Sequence, residues 1–537
     1  MKSEKTFELI LLALFFVFSW WLMDKSFGYD AAQHQFRIAR HQIGDFGLHL
    51  SLARSFSWGD NYPPELPFFP GRPIPYHYMF DLVVGLLEKI GLRIDVAFNG
   101  LSALSFTALL YFIYKLPQII FRKSRLLGVL SVLLFLFHSG LTFVDFLKGK
   151  SLSFALFGDV WGLPDYIHKG PFDGSLISIF FTLNVFLNQR HLIAALAISL
   201  GIVYFLLFAI KKQKQIPVTV LVSIGLLLGM MSRLHSMIFI GNGIAIGLLL
   251  VLLRRVRWLL AIYIPIIAVS LPHFLQIASL RKLQNFYELI NPGFLVPRPL
   301  AVPEILRYWW LNLGIALPLL PLGVLLAKIK ERNIFYCFLP LFVIANIFQL
   351  SYRIDHNHTL INYFLIVGNF FISYILWLLW QKRLGMKLLA FFLLLVLTVS
   401  GVIDLMAVKN DFQYTFPDAP ANRFMAWVKE STDKRAVFLA REDILDPITL
   451  SGRYNYFGAT YYPQVMGYPI QERRESMIKF FEANDKVTIE QMKSEGIDYI
   501  ALPVVPPSGF WYRVDREFFE DNLKTVYSDE DVVVYKL

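Results

Sequence analysis

Residues 388–406 read LLAFFLLLVLTVSGVIDLM, an apolar run interrupted by one carboxylate, and runs of this kind decide the fold class. An α-helix needs about 20 predominantly apolar residues to cross the hydrocarbon core of a bilayer. Similar runs recur through the first 400 residues, and hydrophobic residues make up 56% of the 537 positions. The pattern predicts an all-α polytopic membrane bundle rather than a large soluble core.

The apolar runs predict about eleven membrane-spanning helices, and the basic residues between them predict the topology. The predicted spans are 7–23, 98–120, 126–146, 192–210, 216–231, 236–253, 258–275, 308–327, 334–350, 363–380 and 388–406. With the N-terminus inside, five clusters of lysine and arginine fall on one face, as the positive-inside rule requires. These clusters begin at Arg122, Lys211, Arg254, Lys328 and Lys382.

The same topology places the long loops outside, at 24–97, 148–174, 276–307 and 351–362, together with the chain after 408. Two apolar stretches, 78–90 and 175–187, are too short to span comfortably, and we predict that they are interfacial or re-entrant helices. The formal charge of +11 resides mainly in short clusters between apolar runs, which favours membrane orientation over nucleic-acid binding.

From residue 409 onward the composition becomes that of a soluble domain. Helix-like segments at 421–430, 475–483 and 488–495 alternate with strand-like segments at 436–440, 499–502 and 532–535. We therefore predict two domains. Residues 1–408 form the membrane bundle, and residues 409–537 form a small external α/β domain.

The first external loop holds the residues that most suggest chemistry. Residues 44–56 read GDFGLHLSLARSF, so Asp45 and His49 lie four apart and would share one face of a helix, with Arg54 following. The next stretch, SWGDNYPPELPFFPGRPIPYHYMFD at 57–81, adds prolines that restrict the backbone and a polar aromatic group that includes His77. A rigid polar surface over a bilayer suits a lipid headgroup.

The D-x-x-x-H motif of Asp45 and His49, followed by Arg54, resembles the first acidic motif of the GT-C superfamily of membrane glycosyltransferases. That superfamily uses polyprenyl-phosphate or polyprenyl-diphosphate sugars, and it includes oligosaccharyltransferases, protein O-mannosyltransferases and aminoarabinose transferases. The resemblance implies that an acid of the first loop is catalytic. Asp45 is the first choice, with Asp30 in GYDAAQH as a rival and His49 as a companion. The WWDYG-like acceptor motif of oligosaccharyltransferases does not occur in the C-terminal domain.

The resemblance also implies a divalent cation in some relatives, held by acids from the first two external loops. Asp45 together with Asp159 and Asp165 would then be the ligands, and Mg²⁺ or Mn²⁺ suits carboxylate oxygens. Solvated loop acids beside glycine and proline are the alternative reading of Asp159 and Asp165. His168 and Asp173 belong to the same stretch.

A phosphate leaving group needs positive charge or hydrogen-bond donors. The candidates among the external loops are Arg54, Arg72, His77, Arg353, His356 and His358. The last three lie in SYRIDHNHTLINY at 351–363, where anchoring at headgroup level is the alternative.

These observations predict a glycosyltransferase of the plasma (inner) membrane that moves a sugar from a polyprenyl-linked donor to a glycan, lipid or protein acceptor on the external face. Two alternatives remain open. A transporter or flippase of lipid-linked saccharide would show ionisable residues at mid-span and internal symmetry. In a non-catalytic assembly protein the acids of the first loop would be dispensable.

Overall fold

The computed structural model describes residues 2–122, 124–151, 153–167, 183–281, 288–508 and 510–537. Each of the predicted spans falls on a helix or on a pair of consecutive helices in these ranges. The helices are Lys2–Ser26, Ile94–Phe121, Arg125–Phe137 with Thr142–Leu147, Arg190–Lys211, Val218–Leu234, Ser236–Leu252, Val256–Arg281, Val302–Leu313 with Ala316–Leu326, Ile329–Ile347, His358–Trp380 and Leu384–Asn410.

Fewer of these helices than predicted are long and apolar enough to cross a membrane. Within the described ranges six qualify, and the pair Val302–Leu313 and Ala316–Leu326, bent by 86°, would be a seventh. Helices such as Val218–Leu234 and Ser236–Leu252 have 17 residues each, about 26 Å, which is short of a hydrocarbon core of about 30 Å. The protein is therefore a mainly helical, multi-pass membrane protein, and eleven crossings are not confirmed.

The first predicted loop is a folded layer rather than an irregular connection. Strands β1 (Phe27–Asp30) and β2 (Gln35–Ala39) form an antiparallel hairpin, which is followed by the helix Ile43–Ser57, here called the loop helix. Strands β3 (Glu65–Leu66) and β4 (Phe69–Pro73) come next, and then the helix Met79–Lys89. This last helix corresponds to the predicted short helix 78–90; most of the other, 175–187, lies outside the described residues.

The chain after the last long helix returns to the first loop. Strand β5 (Gln413–Pro417) pairs antiparallel with β2, so that Gln35 lies opposite Pro417 and Ala39 opposite Gln413. Strands β1, β2 and β5 therefore make one three-stranded sheet from two distant parts of the sequence. Hydrogen bonding across this sheet attaches the C-terminal region to the first loop.

The C-terminal region contains a second sheet, which has five strands. They are β6 (Val437–Leu439), β7 (Tyr454–Asn455), β8 (Tyr499–Pro503), β9 (Lys524–Ser528) and β10 (Val532–Lys536). Their order in the sheet is β7-β6-β8-β10-β9. The helices are Arg423–Ser431, Pro447–Leu450, Tyr461–Met466, Ile470–Phe481, Lys486–Ser494 and Arg516–Asn522. Every helix and strand predicted there from the sequence has a counterpart, and the sequence prediction lacked β7, β9 and the shorter helices.

One apolar core joins the first loop to the C-terminal region. Leu48 and Leu52 of the loop helix are fully buried in the same cluster as Phe457, Tyr468 and Ile500. The loop helix also buries residues against the membrane bundle, since Phe46 and Leu50 belong to the core cluster of the long helices. The loop helix is thus packed between the bundle and the C-terminal region.

Arg54 of the loop helix is buried among carboxylates, with a side chain only 2% exposed. Its Nη1 and Nη2 donate to the two oxygens of Asp418 at 2.9 and 3.2 Å, and its Nε lies 2.8 Å from Glu88 Oε1. The guanidinium also lies 3.4 Å from the centre of the Trp58 ring. In this structure Arg54 therefore pairs with Asp418 and Glu88 inside the protein, and its contact with a phosphate stays a prediction.

Glycine allows the loop helix to approach the C-terminal region at backbone distance. A Cβ on Gly47 would lie 2.5 Å from the carbonyl oxygen of Ile444, closer than real Cβ contacts. A Cβ on Gly59 would likewise lie 2.4 Å from the carbonyl oxygen of Gly452. A Cβ on Gly44, one turn before Leu48, would meet nothing within 4 Å.

We expect Arg54→Gln to destabilise the protein by about 3–5 kcal/mol, because it leaves Asp418 and Glu88 buried without their cation. Arg93→Gln is the matched control, since Arg93 pairs with Asp95 while 45% exposed, and it should cost less than about 1 kcal/mol. Thermal and denaturant unfolding in detergent micelles measures both. Equal losses in the two variants would contradict the structural role of Arg54.

We expect Gly47→Ala to destabilise the protein by about 1–3 kcal/mol through overpacking against Ile444. Gly44→Ala, in the same helix with open space around it, should be neutral or stabilising by up to about 1 kcal/mol through helix propensity. The same unfolding measurement, with limited proteolysis of the C-terminal region, compares the pair. A harmless Gly47→Ala would show that the close approach is absent.

Candidate active site

A cavity of about 380 Å³ lies where the first loop, the starts of several bundle helices and the C-terminal region meet. Its lining includes six of the chain's eleven histidines and one carboxylate, Asp45. The histidines are His49, His77, His191, His235, His356 and His358. The lining also includes the apolar side chains of Met237, Ile240, Phe274, Ile277, Leu289 and Met466. The cavity is therefore amphipathic.

Asp45 stands in the first turn of the loop helix and faces this cavity. The Tyr462 hydroxyl lies 2.9 Å from the Gly44 carbonyl oxygen, to which it donates, and 3.4 Å from Asp45 Oδ1. Burial raises the pKa of the Asp45 carboxyl, and His49 and the Tyr462 hydroxyl offset only part of that rise. A carboxylate whose pKa is raised is a stronger base toward a bound hydroxyl or amide proton.

His49 lies one turn after Asp45 and is held by a second carboxylate. Its Nδ1 is 3.1 Å from both oxygens of Asp81, and both side chains are almost fully buried. Burial lowers the pKa of His49, but the carboxylate of Asp81 and that of Asp45 outweigh this, so the pKa is raised. The structure thus places the His49 imidazole near two acids that favour its protonated form, and one of them, Asp45, faces the cavity.

His77, His191 and His235 come from three elements and meet at one wall of the cavity. The ring centres of His77 and His191 are 4.0 Å apart, and those of His77 and His235 are 5.2 Å apart with nearly parallel planes. The His191 and His235 rings are also 5.2 Å apart. Nε2 of His77 and Nδ1 of His191 are buried and lack a hydrogen-bond partner in the described structure.

The loop before the helix His358–Trp380 forms another side of the cavity. His356 Nδ1 lies 2.8 Å from the Ser351 hydroxyl, and His358 Nδ1 lies 3.2 Å from the side-chain amide of Asn362. Arg353 makes two hydrogen bonds with Asp355, at 3.0 and 2.8 Å, and donates to the Tyr461 hydroxyl at 2.9 Å. Arg353 is therefore held just behind the lining residue Tyr461.

The remaining predicted site residues lie away from this cavity. Asp30 ends β1 and accepts hydrogen bonds from the backbone of residues 32 and 33, and Arg72 lies in β4. Asp159 pairs with Lys150 at 2.7 Å, and Asp165 pairs with Arg40. The structure does not bring Asp159 or Asp165 to Asp45.

The donor set around Asp45 is one carboxylate among imidazoles, whereas Mg²⁺ and Mn²⁺ prefer several oxygen ligands. Among the described residues, no group of three or more histidine, cysteine or acidic side chains is arranged to hold a metal ion. His168 and Asp173 lie outside the described residues. The divalent cation stays a prediction.

The sequence marks five further residues of the site only as separate polar or aromatic positions, and it did not predict that they meet. Asp81, His191, His235, Tyr461 and Tyr462 stand in separate segments without a shared spacing, and only the fold brings them together. Tyr461 and Tyr462 lie in the short helix Tyr461–Met466, here called the roof helix. One sequence signal could have indicated this site: several histidines lie at the predicted ends of apolar runs.

Comparison with known proteins gives a structural likeness only. No protein-family model and no curated protein sequence matches this chain. The crystal structure of an Archaeoglobus fulgidus oligosaccharyltransferase, tethered to an acceptor peptide containing an NVT sequon, is similar over 93% of this chain and 69% of its own. The TM-score is 0.46 and the sequence identity 10%. At this level of similarity no residue role transfers.

We expect Asp81→Asn to lower the pKa of His49 by about one unit or more, because the variant removes the nearest carboxylate. NMR titration of the protein labelled at histidine measures the change. Asp95→Asn, which removes a carboxylate that pairs with Arg93, is the control. An unshifted His49 in Asp81→Asn would contradict the pairing.

Proposed function

We propose that this protein is a membrane glycosyltransferase that takes a sugar from a polyprenyl-phosphate or polyprenyl-diphosphate donor, with Asp45 as its catalytic base. The observation that carries the proposal is a single carboxylate, Asp45, in a cavity lined by both histidines and apolar side chains. The D-x-x-x-H motif in the first loop supports the same assignment.

The amphipathic lining supports a lipid-linked donor. An isoprenoid chain is apolar and can lie against Phe274, Ile277 and Met237 on the bundle helices. A phosphate and a sugar are polar and need hydrogen-bond partners when they leave water. A donor with an isoprenoid chain and a sugar phosphate would place its anomeric carbon where apolar and polar lining residues meet, beside Asp45.

The proposed reaction is a direct displacement at the anomeric carbon. Asp45 takes the proton of the acceptor nucleophile, the nucleophile forms the new bond to the anomeric carbon, and the bond from that carbon to the phosphate oxygen breaks. The electron pair leaves with the phosphate. Because the nucleophile attacks the face opposite the leaving phosphate, the configuration at the anomeric carbon inverts. Burial that raises the pKa of Asp45 favours the proton transfer, and the cation on His49 stabilises the carboxylate beforehand.

The roof helix and the external region are proposed to hold the acceptor, a glycan, lipid or protein. Tyr461 and Tyr462 present hydroxyls and aromatic faces to the cavity, which suits a sugar or a peptide. The proposed topology has the N-terminus in the cytoplasm and the C-terminal region outside, on the plasma (inner) membrane, in agreement with the basic clusters.

We expect Asp45→Asn to lower glycosyl transfer by about 10²–10⁴-fold while the protein stays folded, since an amide cannot accept the proton. Asp30→Asn, in a turn outside the cavity, should leave transfer unchanged. The assay uses purified protein in lipid with a panel of polyprenyl-phosphate sugars, with and without Mn²⁺, and with EDTA.

Wild-type transfer should fall as pH decreases through the raised pKa of Asp45, above the ordinary range of a carboxyl group, because the base must be ionised.

Full activity of Asp45→Asn would remove Asp45 from the chemistry. Loss in Asp30→Asn alone would move the catalytic acid to β1. Absence of transfer by the wild type with every donor would contradict the enzyme assignment and favour a transporter of lipid-linked saccharide. An assay of donor movement across vesicle bilayers would test that alternative.

A further inference from the structure

The charge composition of the cavity is unusual for a site that receives a phosphate. Its described lining contains no lysine or arginine. A phosphate buried there without a positive charge or several hydrogen-bond donors would lose its hydration, and no protein contact would offset that free-energy cost. The histidines are therefore the lining groups that can become cationic next to it.

The three imidazoles of His77, His191 and His235 have the geometry of a preformed anion site. They lie on three separate elements: the segment after β4, the first turn of Arg190–Lys211, and the turn between two apolar helices. Their ring centres are 4.0 to 5.2 Å apart, so a single small anion can touch all three. Asp81 holds His49 separately, 3.1 Å from Nδ1.

Two buried nitrogen atoms of this histidine cluster lack the hydrogen-bond partners that buried polar atoms normally have. His77 Nε2 and His191 Nδ1 are buried, and neither forms a hydrogen bond in the described structure. His191 is only 3% exposed, and both residues line the cavity. Buried polar atoms are nearly always hydrogen-bonded, so these two mark the place of a ligand atom.

We infer that His77, His191 and His235 form the phosphate-binding site of this cavity, which takes a lipid phosphate ester and binds a proton together with it. The inference rests on the proposed function, and it assigns the neutralisation of the leaving phosphate to imidazoles of this chain. Ring N–H groups donate to the phosphate oxygens, and one imidazole becomes an imidazolium when the anion enters.

Burial and the neighbouring histidines disfavour the protonated form of His77. The pKa of His77 is lowered well below its usual value by burial, with smaller contributions from neighbouring histidines. The titratable groups that face His77 or its neighbour Tyr76 are Asp45, His49, Asp81, His191, His235, His273, His356 and Tyr461. A phosphate dianion reverses the balance, because an opposite charge next to an imidazole favours its protonated form.

The described residues favour an anion over a metal ion at this cluster. Although three histidines can bind zinc, no group of three or more ligating side chains in the described ranges is arranged for a cation. The two carboxylates nearest to the cluster, Asp45 and Asp81, contact His49 or Tyr462 instead. The arrangement therefore differs from one in which acids bind a divalent ion that then meets the phosphate.

The test is a direct binding measurement that needs no glycosyl transfer. Purified protein in nanodiscs is titrated with geranylgeranyl phosphate, with geranylgeraniol, which has the same chain without phosphate, and with inorganic phosphate, all in EDTA. The wild type should bind geranylgeranyl phosphate at least tenfold more tightly than geranylgeraniol. His77→Gln and His191→Gln should lose most of this difference, whereas His41→Gln, which replaces a histidine paired with Asp411, should keep it.

Proton uptake on ligand binding gives a second test, which uses only the wild type and measures how the dissociation constant depends on pH. Between about pH 7.5 and about pH 8.5 a phosphate monoester is a dianion, because its second pKa is about 6. Uptake of one proton with the ligand makes the dissociation constant rise by about tenfold per pH unit in this range. The wild type should show this slope for geranylgeranyl phosphate and no slope for geranylgeraniol.

The outcomes separate this inference from the proposed function. Wild-type binding that depends on phosphate but stays unchanged in both glutamine variants, or that shows no pH slope, overturns the histidine site and leaves a lipid-phosphate donor in place. Binding that requires Mn²⁺ and disappears in EDTA assigns the phosphate to a metal ion and also overturns it. Equal affinity for phosphate and alcohol contradicts the lipid-phosphate donor itself. Inorganic phosphate that competes as well as the lipid would make free phosphate the ligand.

Discussion

The buried ion pair between Arg54 and Asp418 is the constraint on which the rest of the structure depends. A guanidinium that is 2% exposed must be paired where it stands, and its partner comes from a segment 364 residues later in the chain. The pair therefore fixes the loop helix against the C-terminal region. Because Asp45 lies on the same helix and Tyr462 in the roof helix, that contact also sets the distance between the acid and the hydroxyl above it.

The position of the cavity follows from the two environments that meet there. The bundle helices supply apolar side chains because most of their surface faces lipid or other helices, and polar groups come from the first loop, the roof helix and the ends of the bundle helices. A buried polar group has to be hydrogen-bonded, which explains the pairing of His49 with Asp81 and of Arg353 with Asp355 and Tyr461. Among the described residues that line the cavity, the buried side-chain atoms without a hydrogen-bond partner are His77 Nε2 and His191 Nδ1.

Arginine is the residue type most expected to bind a phosphate, but here the arginines pair with acids of the protein and the histidines line the cavity. Arg54 is occupied within the protein and Arg353 is bound to Asp355, so the permanent cations hold the structure together. The histidines at the starts and turns of the apolar helices face the cavity instead. An imidazole can be buried uncharged with little penalty and can take up a proton when an anion approaches, which a guanidinium cannot do.

The sequence by itself determined the elements whose signal is local. Apolar runs located the bundle helices, period-two and helical patterns located half of the C-terminal strands and helices, and the spacing of Asp45 and His49 predicted that they share a helix face. Tertiary structure decided what depends on distant segments. It placed β5 in the sheet of the first loop, assigned Arg54 to a buried ion pair, separated Asp159 and Asp165 from Asp45, and assembled His77, His191 and His235. The physical reason is that hydrophobic periodicity records the environment of a single element, whereas hydrogen bonds and charge pairs between residues hundreds of positions apart leave no periodic trace in either segment.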